Sequence, residues 1–333
     1  MLKRIAAILT ATAIAAPAIA EVNIYSSREP QLINPILEAF TAETGIKTNI
    51  VFIKDGLIER LKAEGDRSPA DLVLTTDISN LNAVVEAGVT QAVTSDVINA
   101  NIPATFRDPD GNWFGLTSRA RVIYASVERV AAGEVTTYED LTDPKWEGRI
   151  CTRSGSHNYN VGLLSAVVAH HGEEAAEEWL TGLKANLARK PQGNDRAQVK
   201  AIWAGVCDIA IGNTYYMGAM LQNEEQQAWA NSVTIQFPIL GDSGVHVNLS
   251  GMAMTKSAHN EEDTLRLMEF LTSEAAQAMY AELNFEYPLL ESAKPSELVQ
   301  SWGDFTPDSM PLVDIAKLRP IALKIVDRVN FNE

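Results

Sequence analysis

Strand-like and helix-like segments alternate from residue 22 onward, and that alternation restricts the chain more than any other feature of its sequence. Val22–Tyr25 reads as a short strand. Apolar residues follow at helical spacing (Leu32, Ile33, Ile36, Leu37, Phe40), closed by Gly45. The β-branched run Ile46–Phe52 precedes a helix through Leu57, Ile58 and Leu61, and Asp71–Thr75 reads as a buried strand before a helix from about Ile78 to Ala87. Strands separated by helices pair most readily in parallel, with helices on both faces of the sheet.

The pattern changes after residue 107. Asp108–Asn112 is turn-rich, and Trp113–Ser126 is extended. A second α/β unit then carries a strand at Arg149–Cys151, helices at 159–170 and 175–184, a helix after Gly193-Asn-Asp195, and a strand at Val206–Ile211. That strand leads through Gly212-Asn-Thr-Tyr-Tyr216 into another helix. Val245–Gly251 is extended again, and helices follow. The expected fold is α/β: a two-lobed clamshell with a mixed, mostly parallel sheet in each lobe. Two extended crossings, near 117–126 and 245–256, would serve as hinges. Residues 21–120 and 250–333 are assigned to the N-terminal lobe with the C-terminal helices, and 121–249 to the C-terminal lobe. A chain of 333 residues exceeds what one hydrophobic core serves, in keeping with two lobes.

Residues 1–20 read as a secretory signal peptide. Lys3 and Arg4 precede an apolar run, Ile5–Ala16, and the segment closes on Ala18-Ile-Ala20. The run is shorter than the ~20 apolar residues a spanning helix needs. The mature chain is therefore expected in the periplasm, exported and soluble. The net charge of −16 becomes −18 once Lys3 and Arg4 are lost, which disfavours nucleic acid and anionic membranes as partners. Two cysteines, Cys151 and Cys207, in an oxidising compartment favour one structural disulfide over two free thiols.

No catalytic constellation stands out. There is no HExxH, nucleophile elbow or phosphate loop, and the neighbours Ser156 and His157 do not by adjacency make a nucleophile and base. Asp108-x-Asp-x-Asn112 fails as a calcium loop, because Trp113 stands where glycine is needed. His170 and His171 lack the i, i+4 spacing of a helical zinc pair. The chain reads as a binding protein, not an enzyme.

Four segments carry a closer likeness: Ile24-Tyr-Ser-Ser-Arg28, Glu64–Asp71, Gly115–Val122 and Gly205–Tyr216. Together they resemble the bacterial periplasmic ferric-iron-binding proteins, the soluble components of Fe³⁺ ABC importers, over essentially the whole mature chain. The resemblance implies that phenolates of two adjacent tyrosines, here Tyr215 and Tyr216, hold the metal with a third, matched by Tyr159. It also sets Cys151 and Cys207 where some members carry a bridge. The partners implied are an inner-membrane permease and its ATPase, with the protein itself a monomer. The sequence departs from the family after the first strand, where His or His-Tyr is common and Glu29-Pro30 stands here. A carboxylate that some members supply later falls at Thr76.

Chemistry supports the donor set. Fe³⁺ is small and hard and favours anionic oxygen. A phenol ionises near pH 10, so the bound ion must itself supply the charge that deprotonates its ligands. Three phenolates balance Fe³⁺ in formal charge; Glu29 as a fourth ligand would make the site negative. Arg119 and Arg121, two apart on a strand, should face the same side. With Arg28 they are candidates to offset that charge or to hold a synergistic anion such as carbonate. Adjacent tyrosines at a helix start are more often packing residues, and the flanking motif with Tyr159 turns the balance toward a metal. The competing reading is a carrier of the same fold for an organic or oxyanionic solute, such as a polyamine, thiamine or phosphonate.

Overall fold

A computed structural model describes residues 21–333; the expected signal peptide, residues 1–20, lies outside the described residues. Nine strands form one curled sheet. They are β1 (Glu21–Ser26), β2 (Lys47–Phe52), β3 (Leu72–Thr75), β4 (Phe114–Ser126), β5 (Ile150–Cys151), β6 (Ile209–Asn213), β7 (Val233–Gln236), β8 (Val247–Met254) and β9 (Tyr287–Pro288). The strand order is β2-β1-β3-β8-β4-β6-β5, with β7 and β9 also on β4.

The first lobe begins with parallel pairing of β1 to β2 and to β3, as the helix-separated strands require. β3 then pairs antiparallel with β8, which pairs antiparallel with β4. β4 is shared between the lobes: Phe114–Ala120 lies against β8, and Arg121–Ala125 lies against β6. Parallel pairing returns between β5 and β6. The sheet is thus mixed, with its parallel share concentrated in β2-β1-β3 and β5-β6. The crossings are antiparallel because the chain leaves the first lobe along β4 and re-enters it along β8. Both are wholly buried, with their polar and charged side chains included.

One core cluster fills the outer face of the first lobe, with Ile24, Ile36, Phe40, Leu72, Leu267 and Tyr280. A larger one runs from the first lobe (Tyr25, Val73, Leu81, Val84) into the second around the helix Asn158–His171, whose residues Val161–Val168 are all buried. A helix apolar on every side must be sandwiched, and it is covered by the helices Glu173–Ala185 and Arg319–Arg328. The sequence places residues 250–333 with the first lobe. The helix Arg319–Arg328 instead packs on Asn158–His171 and Glu173–Ala185 of the second lobe, and Leu312–Lys317 bridges the lobes, packing on both Ile78–Glu86 and Asn158–His171. The cause is their apolar stripe (Ile315, Ala322, Ile325, Val326), which joins the larger core cluster shared by the two lobes.

Asp108–Asn112 is a turn, as expected, with Asp108 Oδ2 accepting from Asn112 N and Nδ2 at 2.9 and 2.8 Å. His170 and His171 point apart, to Asp308 at 2.9 Å and Glu139 at 2.7 Å. Cys151 and Cys207 are joined, tying the end of β5 to the segment entering β6. Among the described residues no helix is long and apolar enough to cross a membrane.

Candidate functional site

The tyrosines meet where two strands end and two helices begin. β6 closes at Asn213, and the helix Tyr215–Leu221 starts two residues later. β5 closes at Cys151, a loop follows, and the helix Asn158–His171 starts with Tyr159 in its first turn, His157 Nδ1 accepting from Tyr159 N at 3.2 Å. Carboxyl ends of strands and helix N-termini are where α/β folds concentrate ligands and where anionic oxygen is favoured. Gly212 is required on this path, because a Cβ there would collide with the Tyr124 ring.

The structure brings Tyr159, Tyr215 and Tyr216 together. The hydroxyl oxygens of Tyr159 and Tyr215 are 3.0 Å apart, and the rings of Tyr215 and Tyr216 lie at 4.4 Å with 30° between their planes. All three are half-buried. The Tyr215 phenol is held well above its ordinary pKa, first by burial and then by Tyr159 and Tyr216. Tyr216 is raised by burial, Tyr159 and Asp195, against the pull of Tyr215 and Arg153. Both are neutral phenols at pH 7.

Positive charge surrounds them. Arg119 and Arg121 do face one side of β4, with their guanidinium carbons 5.9 and 5.8 Å from the Tyr159 ring centre; Arg153 lies at 5.1 Å. Arg121 is buried and donates to Asp195 Oδ2 at 2.8 Å, Asn213 Oδ1 at 2.9 Å and Asn160 Oδ1 at 2.6 Å. Arg119 donates to Ser250 Oγ at 3.1 Å and to the carbonyl of Thr76, and among the described residues no carboxylate forms a salt bridge with it. Thr76 therefore offers its backbone oxygen to an arginine. Arg28 is buried, bonded to Ser250 Oγ, and ion-paired with Glu286 at 2.9 Å. Its charge is answered by that ion pair, whereas Arg119 has the buried Asp77 carboxylate as a neighbouring charge without a direct ion pair.

Glu29 is not brought into this cluster. It is exposed, accepts from Gln31 Nε2 at 2.6 Å and, among the described residues, makes no hydrogen bond to the tyrosines. Pro30 starts a short 3-10 turn at Pro30–Leu32 that carries the chain away from the end of β1.

Sequence reasoning missed Asp195, the residue on which the site's scaffold converges. It is fully buried, its Oδ1 accepts from Arg153 at 2.9 Å, and its Oδ2 accepts from Arg121 and from the Asn213 backbone N–H at 2.9 Å. One carboxylate thus ties the crossing strand, the loop before Tyr159 and the segment before Tyr215. Its only sequence signal was the helix start at Asn194-Asp195, which any capping pair would give. Asn160 was missed too; its Nδ2 holds Thr152 Oγ1 and the carbonyls of Arg153 and Ser154 at 3.0, 2.9 and 3.2 Å.

A small cavity of about 10 Å³ lies behind Tyr159, lined by Arg119, Arg121, Asn213, His246 and Asn248. It has room for about one water-sized group. The Nε–H groups of Arg119 and Arg121, two of the lining residues, are buried with no hydrogen-bond partner among the described residues. Asn248 joins the lobes, donating to Asp77 Oδ2 at 2.9 Å and accepting from Ile78 N at 3.0 Å. Among the described residues no three His, Cys, Asp or Glu side chains come together to hold a metal.

Residues 67–303 match the family of bacterial extracellular solute-binding proteins. The chain is 43% identical over 314 residues to Iron uptake protein A1 of Synechocystis sp., covering 93% of this chain and 87% of the relative. Its fold overlays the apo ferric ion-binding protein A of Pasteurella haemolytica with a TM-score of 0.90 at 50% identity, covering 94% and 98% of the two chains. A Trichodesmium protein solved in complex with iron and citrate ligands overlays with a TM-score of 0.90 at 40% identity, covering 94% of this chain and all of that one.

Proposed function

The chain belongs to the bacterial extracellular solute-binding proteins and, within them, to the ferric-iron-binding family, and from that premise we propose that it captures Fe³⁺ in the periplasm, between its lobes, for an ABC importer. In this reading Tyr159, Tyr215 and Tyr216 hold the metal as phenolates, and an inner-membrane permease with its ATPase receives it. The observation that carries the reading is the 3.0 Å separation of the Tyr159 and Tyr215 oxygens. A small hard cation about 2.0–2.1 Å from each of two neighbouring ligands needs those oxygens about 2.9 Å apart. The two hydroxyls, hydrogen-bonded to each other here, lie at the spacing that chelation needs, and the metal would replace the shared proton.

Electrostatics supports the same reading. Arg119, Arg121 and Arg153 outnumber Asp195 around the phenols, which favours the anionic form once a metal displaces the protons. Glu29 is left outside the ligand set, so the remaining positions fall to water or a small oxyanion such as carbonate. The unpartnered Nε–H groups of Arg119 and Arg121 suit such an anion after the small cavity widens. Proton competition, or reduction to the softer Fe²⁺, would release the cargo. The relatives carry names of uptake and binding proteins, and the chain is read as a carrier, not a catalyst.

The test is a visible titration of iron-stripped protein with citrate-chelated Fe³⁺. A saturating charge-transfer band at one equivalent is expected. No band and no bound iron by elemental analysis would overturn the proposal in favour of an organic or oxyanionic solute.

A further inference from the structure

The segment after the last helix grips the loop that delivers Tyr159. The helix Arg319–Arg328 ends in a turn at Asn330, whose φ of +52° is left-handed. Phe331 N–H donates to the Val326 carbonyl at 3.1 Å and Asn330 N–H to that of Asp327 at 3.0 Å. This is the bond pair of a Schellman ending, with an asparagine at the position where αL is tolerated. Lys184 Nζ, from the helix Glu173–Ala185, donates to the carbonyls of Val329 and Asn330 at 3.0 and 2.6 Å and pins the turn.

That turn aims Phe331 into the second lobe's core, where it is 1% exposed beside Leu163, Leu183 and Val326. Its ring covers Gly155, where a Cβ would lie 2.5 Å from ring carbon Cδ1. Asn332 then reaches the loop itself. Its Oδ1 accepts from Gly155 N at 2.8 Å and from Ser154 Oγ at 3.1 Å, and its Nδ2 donates to Ser156 Oγ at 3.0 Å. The gripped residues lie between Arg153, which is paired to Asp195, and Tyr159. Asn160 staples Thr152–Ser154 from the inner side, so the loop is held from both.

We propose that Asn332 is a positioning residue for the Tyr159 limb of the iron site, fixing Ser154–Ser156 from outside and so setting the separation of the Tyr159 and Tyr215 oxygens. The inference rests on the tyrosine reading of the site. Phe331 supplies the burial and Asn332 the register. Because Asn332 is exposed, its bonds add little to global stability, and a substitution there separates positioning from folding.

The experiment compares the full chain with Asn332→Ala and Asn332→Asp. The readouts are thermal melting, hydrogen exchange at the Gly155 amide, the iron charge-transfer band and chelator-driven iron release. Asn332→Ala should melt like the wild type, exchange Gly155 faster, shift the band and release iron about five- to tenfold faster. Asn332→Asp keeps an acceptor for Gly155 and Ser154 and should return toward wild type. A wild-type band with unchanged position and release in Asn332→Ala would overturn the positioning role alone. A wild-type protein without the band would overturn the tyrosine reading and this role with it.

Discussion

Replacing Asp195 by asparagine keeps the volume of the side chain and removes the charge on which two buried arginines depend. The carboxylate takes Arg153 on one oxygen, and Arg121 with the Asn213 N–H on the other. An asparagine has one acceptor oxygen, so its NH₂ must face a guanidinium, donor against donor. Both ion pairs are lost whichever way the amide turns; Arg121 retains Asn213 Oδ1 and Asn160 Oδ1, whereas Arg153 also loses its hydrogen bond to this side chain if the amide nitrogen turns toward it. A hydrogen bond to a charged group contributes about 1.5–3 kcal/mol, and removing one partner of a buried ion pair costs about 3–5 kcal/mol. These describe the same loss and are not additive, so about 3–5 kcal/mol is expected. Urea unfolding of the iron-free protein, followed by far-UV circular dichroism, should show it as a midpoint lower by about 1–2 M at a slope of about 3 kcal/mol/M. A second readout is independent of unfolding. Asp195 raises the pKa of both Tyr215 and Tyr216, so the variant's phenols should titrate at lower pH. A stability loss below about 1 kcal/mol, with unmoved phenol titration, would refute the assignment of Asp195 as the charge that joins these segments.

Tyr216→Phe should weaken iron binding more than about 100-fold, measured by competition with citrate, while circular dichroism stays unchanged; losing an anionic ligand costs more than the 10–100-fold typical of an outer partner. Glu29→Gln should leave iron affinity within about twofold, since the carboxylate is exposed and bonded to Gln31; a large loss would place it in the ligand set. Acid should destabilise the iron-free protein before its carboxylates protonate. Burial holds the His246 pKa down to about 4, Arg121 and Arg119 adding to the effect and Asp308 opposing it, and His157 is held near 4 by burial and Arg153. The unfolded chain binds protons at its histidines below about pH 6.5 while the folded one does not until about pH 4, so stability falls between those values. Urea unfolding at pH 7 and pH 4.5 should differ by roughly 2–3 kcal/mol from His246 alone, and His246→Gln should remove that share.

The alternation of Val22–Tyr25, Ile46–Phe52 and Asp71–Thr75 with helices determined the parallel start of the sheet, because strands so separated have few other ways to pair. Gly45 marked the end of its helix with φ +75°, as a left-handed ending demands. The three tyrosines were legible through motif, and Arg119 and Arg121 through the two-residue period of a strand. Local chemistry writes such features, so sequence carries them. At Glu29 the sequence gives a position after β1, and only the structure shows that the turn begun by Pro30 leaves the carboxylate exposed. The helices at 312–328 show another, since an apolar stripe declares that it will be buried but not against which lobe. Asp195, 18 residues from Asn213 and 42 from Arg153, became the joint of the site only when folding brought them together. A buried carboxylate is stable there because two arginines from distant segments answer its charge, and no local pattern records a partnership made across the chain.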